Sequence, residues 1–277
     1  MKTLNQIEFS DSGNRFVVDM RAGRSIAIDL DFNGAQPNHF GVSRATSQPL
    51  VAGGFVGDTR QGGSCNVNSL QLIPHCNGTH TETVGHIVND IIPICEIAPM
   101  HLLTATLITV LPVSAKSIDE NYGPELEPTD LVVSASSLEA AHSNWLARDS
   151  QAIIVRTLPN AEDKRARVYG DNCQPSFLTF EAMEWLNRQN VQHLLIDLPS
   201  VDRMYDGGKL YNHHRFWNVD PGSRRVTAKT WRDKTITEMV FVPNDIADGE
   251  YLLSLQIAPF VSDAAPSRPI IFPMQRI

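Results

Sequence analysis

Cysteine is scarce in this 277-residue chain. Cys65, Cys76, Cys95 and Cys173 are scattered without a CxxC pair, far below the density of a disulfide scaffold. That excludes a disulfide-stapled fold and points to a reducing, cytoplasmic setting. Positive charge is also short: Lys plus Arg is 23 against 31 Asp plus Glu, a net charge of −8, which leaves no electrostatic footprint for nucleic acid or an anionic membrane. No stretch of about 18 residues is free of polar side chains. Ile91 to Leu111 comes nearest, but Pro93, Glu96, Pro99 and His101 interrupt it, so it reads as core elements. Met1 to Phe9 lacks the charged-then-apolar layout of a signal peptide. Residues 49–65 are rich in glycine, with Gly53-Gly54, Gly57 and Gly62-Gly63, but no Walker lysine or GxGxxG follows. Those glycines therefore mark turns and close-packed strands rather than a phosphate cradle. No solenoid repeat or low-complexity tract is present. The expected partner is a small molecule.

Histidine, by contrast, is concentrated. Residues 75–86 read His-Cys-Asn-Gly-Thr-His-Thr-Glu-Thr-Val-Gly-His, with three imidazoles and a carboxylate in one short segment. Imidazole nitrogen and carboxylate oxygen are the usual ligands of a catalytic divalent ion, and a hydrolytic site adds an open position for water and a nearby proton carrier. His75 or Cys76, His80 and Glu82 are the candidate ligands, with His86 left for proton transfer. On an extended segment His80, Glu82 and His86 share a face, as does Cys76, whereas His75 joins only through a bulge at Asn77-Gly78. The plainer alternative is a polar strand end, with Asn77-Gly78-Thr79 as a glycosylation sequon.

Glu238 stands out independently. Thr235 to Val242 alternates as a strand and puts Glu238 on the face of Ile236, Val240 and Val242. A carboxylate on an apolar face must be neutralised, paired or bound to metal, unless the strand is an edge with that face in water.

The remaining elements are mixed. Arg15 to Met20 and Ser25 to Leu30 flank Arg21-Ala22-Gly23-Arg24 and read as a hairpin. Leu102 to Leu111 reads as a buried strand, and Ala115 to Pro128 as a polar connection with a helical turn. Thr179 caps a helix running through Leu186, with Glu181 in its first turn and Phe180, Met183 and Leu186 on one face. Val191 to Ile196 is the following strand, giving one β-α-β unit. At 42% hydrophobic, a chain of this length buries one large core, so one domain over 1–277 is expected.

The histidine segment resembles the signature of the cyclase-like metal-dependent hydrolases, which include bacterial kynurenine formamidases and isatin hydrolases: His-x-Gly-Thr-His-x-Asp-x-Pro-x-His. Gly78, Thr79, His80 and His86 match in register. Glu82 replaces Asp, Val84 replaces Pro, and Cys76 stands where the first His is found, with His75 one residue earlier. The similarity continues through Ala152 to Thr157, a strand ending in Arg-Thr, the helix within Pro175 to Asn190, and Asp197, Ser200 and Asp202. Asp263, Pro266 and Arg268 close it, so that it covers about residues 50–275.

Several expectations follow from this resemblance. The fold is α/β, the swivelling three-layer β/β/α domain of that family. The metal ligands are His75, His80, Glu82, Glu238 and a later histidine, His213 in preference to His214. His86 and Glu238 are the catalytic candidates, and the cofactor is a divalent metal, Zn or Mn. The activity is hydrolysis of an amide, formamide or lactam, with an enolate-forming cyclase or lyase and a non-catalytic metal-binding protein as alternatives. A homo-oligomer, commonly a dimer, is expected by the same analogy. Asp197, Ser200 and Asp202 serve either loop capping or catalysis. The segment between His214 and Glu238, with Arg224, Arg225, Lys229, Arg232 and Lys234 beside Trp217 and Trp231, is either a lid over the pocket or a solvated loop.

Overall fold

Runs of β-branched and aliphatic residues build a ten-stranded sheet that closes on itself. The computed structural model describes residues 5–11, 13–97, 102–143 and 150–277. In chain order the strands are β1 Gln6–Asp11, β2 Asn14–Asp19, β3 Arg24–Ser25, β4 His80–Glu82, β5 Leu103–Val110, β6 Ala152–Thr157, β7 His193–Ile196, β8 Thr235–Glu238, β9 Gly249–Ile257 and β10 Ala264–Arg276. From β10 the order runs β9, β5, β6, β7, β8 and β4, and β4 pairs back onto β10. The result is barrel-like. The steps β5 to β6 to β7 to β8 are parallel and the others antiparallel.

Parallel strands covered on both faces are apolar throughout rather than alternating. In β6, Ile153 and Val155 pack toward the helices, with Leu138 of α2 (Ala135–His142) and Met183 and Leu186 of α3 (Phe180–Arg188). Ala152 and Ile154 face the other way, into a cluster with Ile26, Leu107, Leu195 and Leu253. The Thr179 hydroxyl accepts from Ala182 N at 3.1 Å and caps α3 as its sequence predicts. The buried face of α3 is Ala182, Met183, Trp185 and Leu186, whereas Phe180 lies under the Arg215 guanidinium at 4.5 Å. A small sheet of 113–114, 131–133 and 177–178 flanks the helices. The predicted strand within Leu102 to Leu111 is β5, and Ala115–Ser117 forms the helical turn. His101 and Pro99 lie outside the described residues. Among the described residues no helix is long and apolar enough to cross a membrane, and all four cysteines are free.

The N-terminal hairpin differs from the sequence reading. Residues 15–20 do not pair with 25–30; β2 pairs with β1, Phe9 opposite Phe16, and β3 pairs with β10 at Ile270 and Ile271. The cause is local. Asp19 captures Arg21 through its backbone N and its guanidinium, winding Met20–Ala22 into a 3-10 turn that redirects the chain. Gly23 is required there because the Phe272 ring occupies the space a Cβ would need. The glycine-rich segment does form turns and close-packed short strands: a Cβ at Gly57 or Gly63 would collide with backbone oxygens of Val67 or Val56.

Candidate metal centre

The barrel closes at β4, and that closure assembles the site. β4 lies between β8 and β10, with His80 opposite Glu238 and Pro266, and Glu82 opposite Ile236 and Ala264. Residues opposite each other across a strand pair share a face, as do residues two apart along a strand. His80, Glu82 and Glu238 therefore point the same way. Thr81 points the other way, bonding Thr237 Oγ1 and Ser267 Oγ at 2.8 Å each.

His80 is fully buried. Its Nδ1 lies 2.9 Å from Gly78 O and donates to it, so in the neutral ring Nε2 is the nitrogen free to bind a cation. Nε2 has no hydrogen-bond partner and sits 3.6 Å from Glu238 Oε2. Glu238 is 3% exposed, and its Oε1 accepts from Val201 N at 2.8 Å. The predicted strand 235–242 ends at Glu238, because Met239 turns to a φ of 56°. Glu238 is thus interior rather than on a wet edge.

The flanks of β4 are not extended, which corrects the parity reading. Pro74–Asn77 forms one helical turn, α1, and Gly78 has a φ of 165° with no left-handed bulge. Pro74 supplies the fixed φ that starts the turn. His75 enters the site from that turn, with Nδ1 3.0 Å from Glu82 Oε2 and Nε2 2.8 Å from Asp263 Oδ2. The Nδ1 contact is close but not aligned as a hydrogen bond, so Glu82 Oε2 has no aimed donor. Thr83 begins a 3-10 turn, Val84–His86, by accepting from Gly85 N. The turn folds the His86 ring back onto His75 with centroids 4.2 Å apart. His86 Nδ1 is 3.5 Å from Asp263 Oδ2, and Nε2 is 3.9 Å from Glu82 Oε2.

His213 comes from α4, Tyr211–Phe216. Its Nε2 lies 2.9 Å from Glu82 Oε1 and its Nδ1 2.5 Å from Asp202 Oδ2. Asp202 also accepts from Tyr122 OH at 2.6 Å and Asn212 N at 2.7 Å, so it orients the imidazole and satisfies the amides opening α4. His214 belongs to none of the converging groups among the described residues. Ser200 Oγ accepts from Asp202 N at 3.1 Å. Asp197, just after β7, bonds Thr157 and Lys164, the latter a buried ion pair of 2.8 Å to the 3-10 turn Glu162–Ala166.

Three sets of side chains converge closely enough to hold an ion: His75, His80 and Glu82; Glu82, His86 and His213; and His75, His86 and Asp263. Cys76 joins none of them. Its thiol is pushed up by burial and then by the charge of Glu238. Electrostatics favour positive charge at the centre. Burial opposes protonation of His75, but Asp263 and Glu82 outweigh it and raise its pKa to about 10. His213 is raised well above the usual range against the same burial, by Glu82 and Asp202. Glu82, whose burial would raise it, is held well below the carboxylate range by His86 and His213. A bare Nε2 on His80 and an undonated Glu82 oxygen amid acidic residues suit a divalent cation, which replaces the protons.

A cavity of about 680 Å³ reaches this centre at His75, His86 and Glu238 and is bordered by His39, Phe40, Met204, Tyr205 and Leu210. The 215–234 segment does not border that cavity; Arg224, Arg225, Lys229 and Arg232 are exposed, as the solvated-loop reading expects, while the ends of the loop are anchored. Trp217 is buried and donates to Lys234 O at 2.9 Å, and the Lys234 ammonium stands against the Phe216 and Trp231 rings. Sequence reasoning missed His39 and the part played by Asp263. Asp263 had no local signal beyond its place in the resemblance.

The chain matches the family model for putative cyclases over residues 18–203, well over half its length. It belongs to the cyclase family. No curated protein sequence matches it. The fold of this cyclase-family chain is shared with solved structures at low identity. An isatin hydrolase bound to the product analogue thioisatinate aligns at TM-score 0.58 and 12% identity, covering 91% of this chain and 92% of that one. Isatin hydrolase A from Labrenzia aggregata, bound to benzyl benzoate, aligns at TM-score 0.58 and 15% identity, covering 91% and 94%. A predicted metal-dependent hydrolase from Bacillus stearothermophilus aligns at TM-score 0.57 and 12% identity, covering 90% and 97%. These likenesses bear out the α/β fold expected from the resemblance.

Proposed function

We propose that this cyclase-family protein is a metal-dependent hydrolase that cleaves the C–N bond of an amide, formamide or lactam in a small molecule. The observation that carries the reading is His80 Nε2, fully buried, without a hydrogen-bond partner, and 3.6 Å from the Glu238 carboxylate. Such an atom costs stability unless a cation uses its lone pair. His75, His80 and Glu82 would hold the ion, Zn or Mn, with His213 and Glu238 completing the set. Bound there, a divalent ion lowers the pKa of water toward about 7 and polarises a carbonyl.

The chain's own residues do the rest. His86 borders the cavity, takes a proton from the attacking water and delivers it to the leaving nitrogen. Asp263, between His75 and His86, orients both rings. Asp202 fixes His213 from behind. The isatin hydrolases of the same fold act on a cyclic amide, which supports the C–N class.

The test is elemental analysis of wild type and His80→Ala, joined to a hydrolysis screen of amides, formamides and lactams. Wild type is expected to carry about one divalent ion per chain and to turn over a member of the screen, and His80→Ala to lose both. X-ray absorption should show nitrogen and oxygen neighbours only; sulfur at about 2.3 Å would put Cys76 in place of His75. Equal metal in wild type and mutant would sink the reading.

A further inference from the structure

One polar side chain in the cavity serves none of these roles. His39 is 3% exposed, borders the cavity, and neither ring nitrogen has a hydrogen-bond partner. Its backbone is firmly held: His39 N donates to Cys76 O at 3.0 Å, and Asn38 exchanges hydrogen bonds with Arg167 and Tyr169 on either side of Val168. The next two residues both lie in the left-handed region, Phe40 at φ 63° and Gly41 at φ 62°. Phenylalanine adopts that conformation only at a cost. The turn sets the Phe40 ring against the His39 imidazole, centroids 3.9 Å apart, and near Tyr205 at the cavity edge. Two buried, unpartnered nitrogens beside a strained turn mark a place where a ligand completes the hydrogen bonding.

The walls define that ligand. Arg203 is committed to Glu127 at 2.8 Å and Asp130 at 3.1 Å. Asp206 accepts from Gly208, Lys209 and Leu210 N and from Tyr122 OH. Arg203 thus offers no free cation, the Asp206 oxygens are taken up by neutral donors while its negative charge disfavours an anionic ligand, and Phe40, Met204, Tyr205 and Leu210 add apolar surface. An imidazole keeps at least one N–H in any protonation state.

We infer that His39 is a substrate-binding residue, donating its ring N–H to an oxygen acceptor of a neutral substrate with an apolar body. This rests on the proposed hydrolase reading, since the cavity opens onto the same cluster. The test uses metal-loaded wild type, His39→Leu, His39→Asn and His39→Gln. Leu removes two unpaired polar atoms, so His39→Leu should melt at the same temperature or higher. Hydrolysis is followed with isatin, formanilide and a neutral aryl lactone. For whichever is turned over, His39→Leu should raise KM about tenfold with a smaller change in kcat. Asn or Gln, which restore an N–H near the position of Nδ1 or Nε2, should recover most of it. An active wild type whose His39→Leu variant keeps its KM, or melts several degrees lower, overturns the role of His39 alone. Wild type that holds metal yet neither binds nor hydrolyses any of the three overturns the hydrolase reading and this role together.

Discussion

His86 and His80 sit six positions apart in one motif, yet the structure gives them different surroundings. His80 is sealed between β8 and β10 with a single bare nitrogen. His86 is half-buried, stacked on His75, and borders the cavity. A ligand must be fixed, whereas a proton carrier must reach water, and these positions suit those two tasks. In His86→Ala we expect near-normal metal content and turnover reduced about a hundredfold or more, the usual range for losing a general base. Elemental analysis alongside kinetics checks this; an inactive variant that has also lost its metal would place His86 among the ligands. The resemblance supplied the identities of these residues. It did not supply their approach: His75 arrives on a helical turn and His86 on a 3-10 turn, because Pro74 and the Thr83 cap override the strand parity of the segment.

At the level of elements, helix α3 was legible and the first hairpin was not. Thr179 and Glu181 form a local start signal, and local signals survive into the fold. The hairpin depended instead on Asp19 competing for Arg21, a side-chain contact that hydrophobic alternation does not report. The Thr179 hydroxyl also donates to Glu120 Oε2 at 2.6 Å, and the same carboxylate accepts from Ala135 N at the start of α2. One residue thus ties two helix starts. Thr179→Ala should cost about 1–2 kcal/mol, read as a melting temperature lower by several degrees, while Thr179→Ser keeps most of the stability. Equal melting of all three proteins would show that the cap contributes nothing.

For the whole molecule, buried imidazoles outside the site set a pH limit. His193 donates to or accepts from Thr235 Oγ1 at 2.9 Å, and burial lowers its pKa from 6.5 to about 4. A depressed folded-state value means the unfolded chain binds the proton first. The stability from neutral His193 is therefore complete above about pH 6.5 and is lost as pH falls toward 4, to a limit of about 3 kcal/mol. His193→Asn should flatten that part of the stability profile measured by urea unfolding. Parallel profiles for the two proteins would remove His193 from the account.

The sequence alone determined the capped helix and, through the resemblance, the family, and it singled out Glu238 as a carboxylate that must be paired or bound unless its strand is a wet edge. Those are recorded in short spacings and in the mismatch between a charge and its apolar neighbours. Only tertiary structure decided which atoms meet: Asp263 lies 188 residues from His75, His213 lies 131 from Glu82, and His39 reaches the cavity from a turn without a motif. Those meetings depend on β4 closing the barrel between β8 and β10. Strand pairing across such separations is fixed by packing of the whole sheet, which no local pattern records.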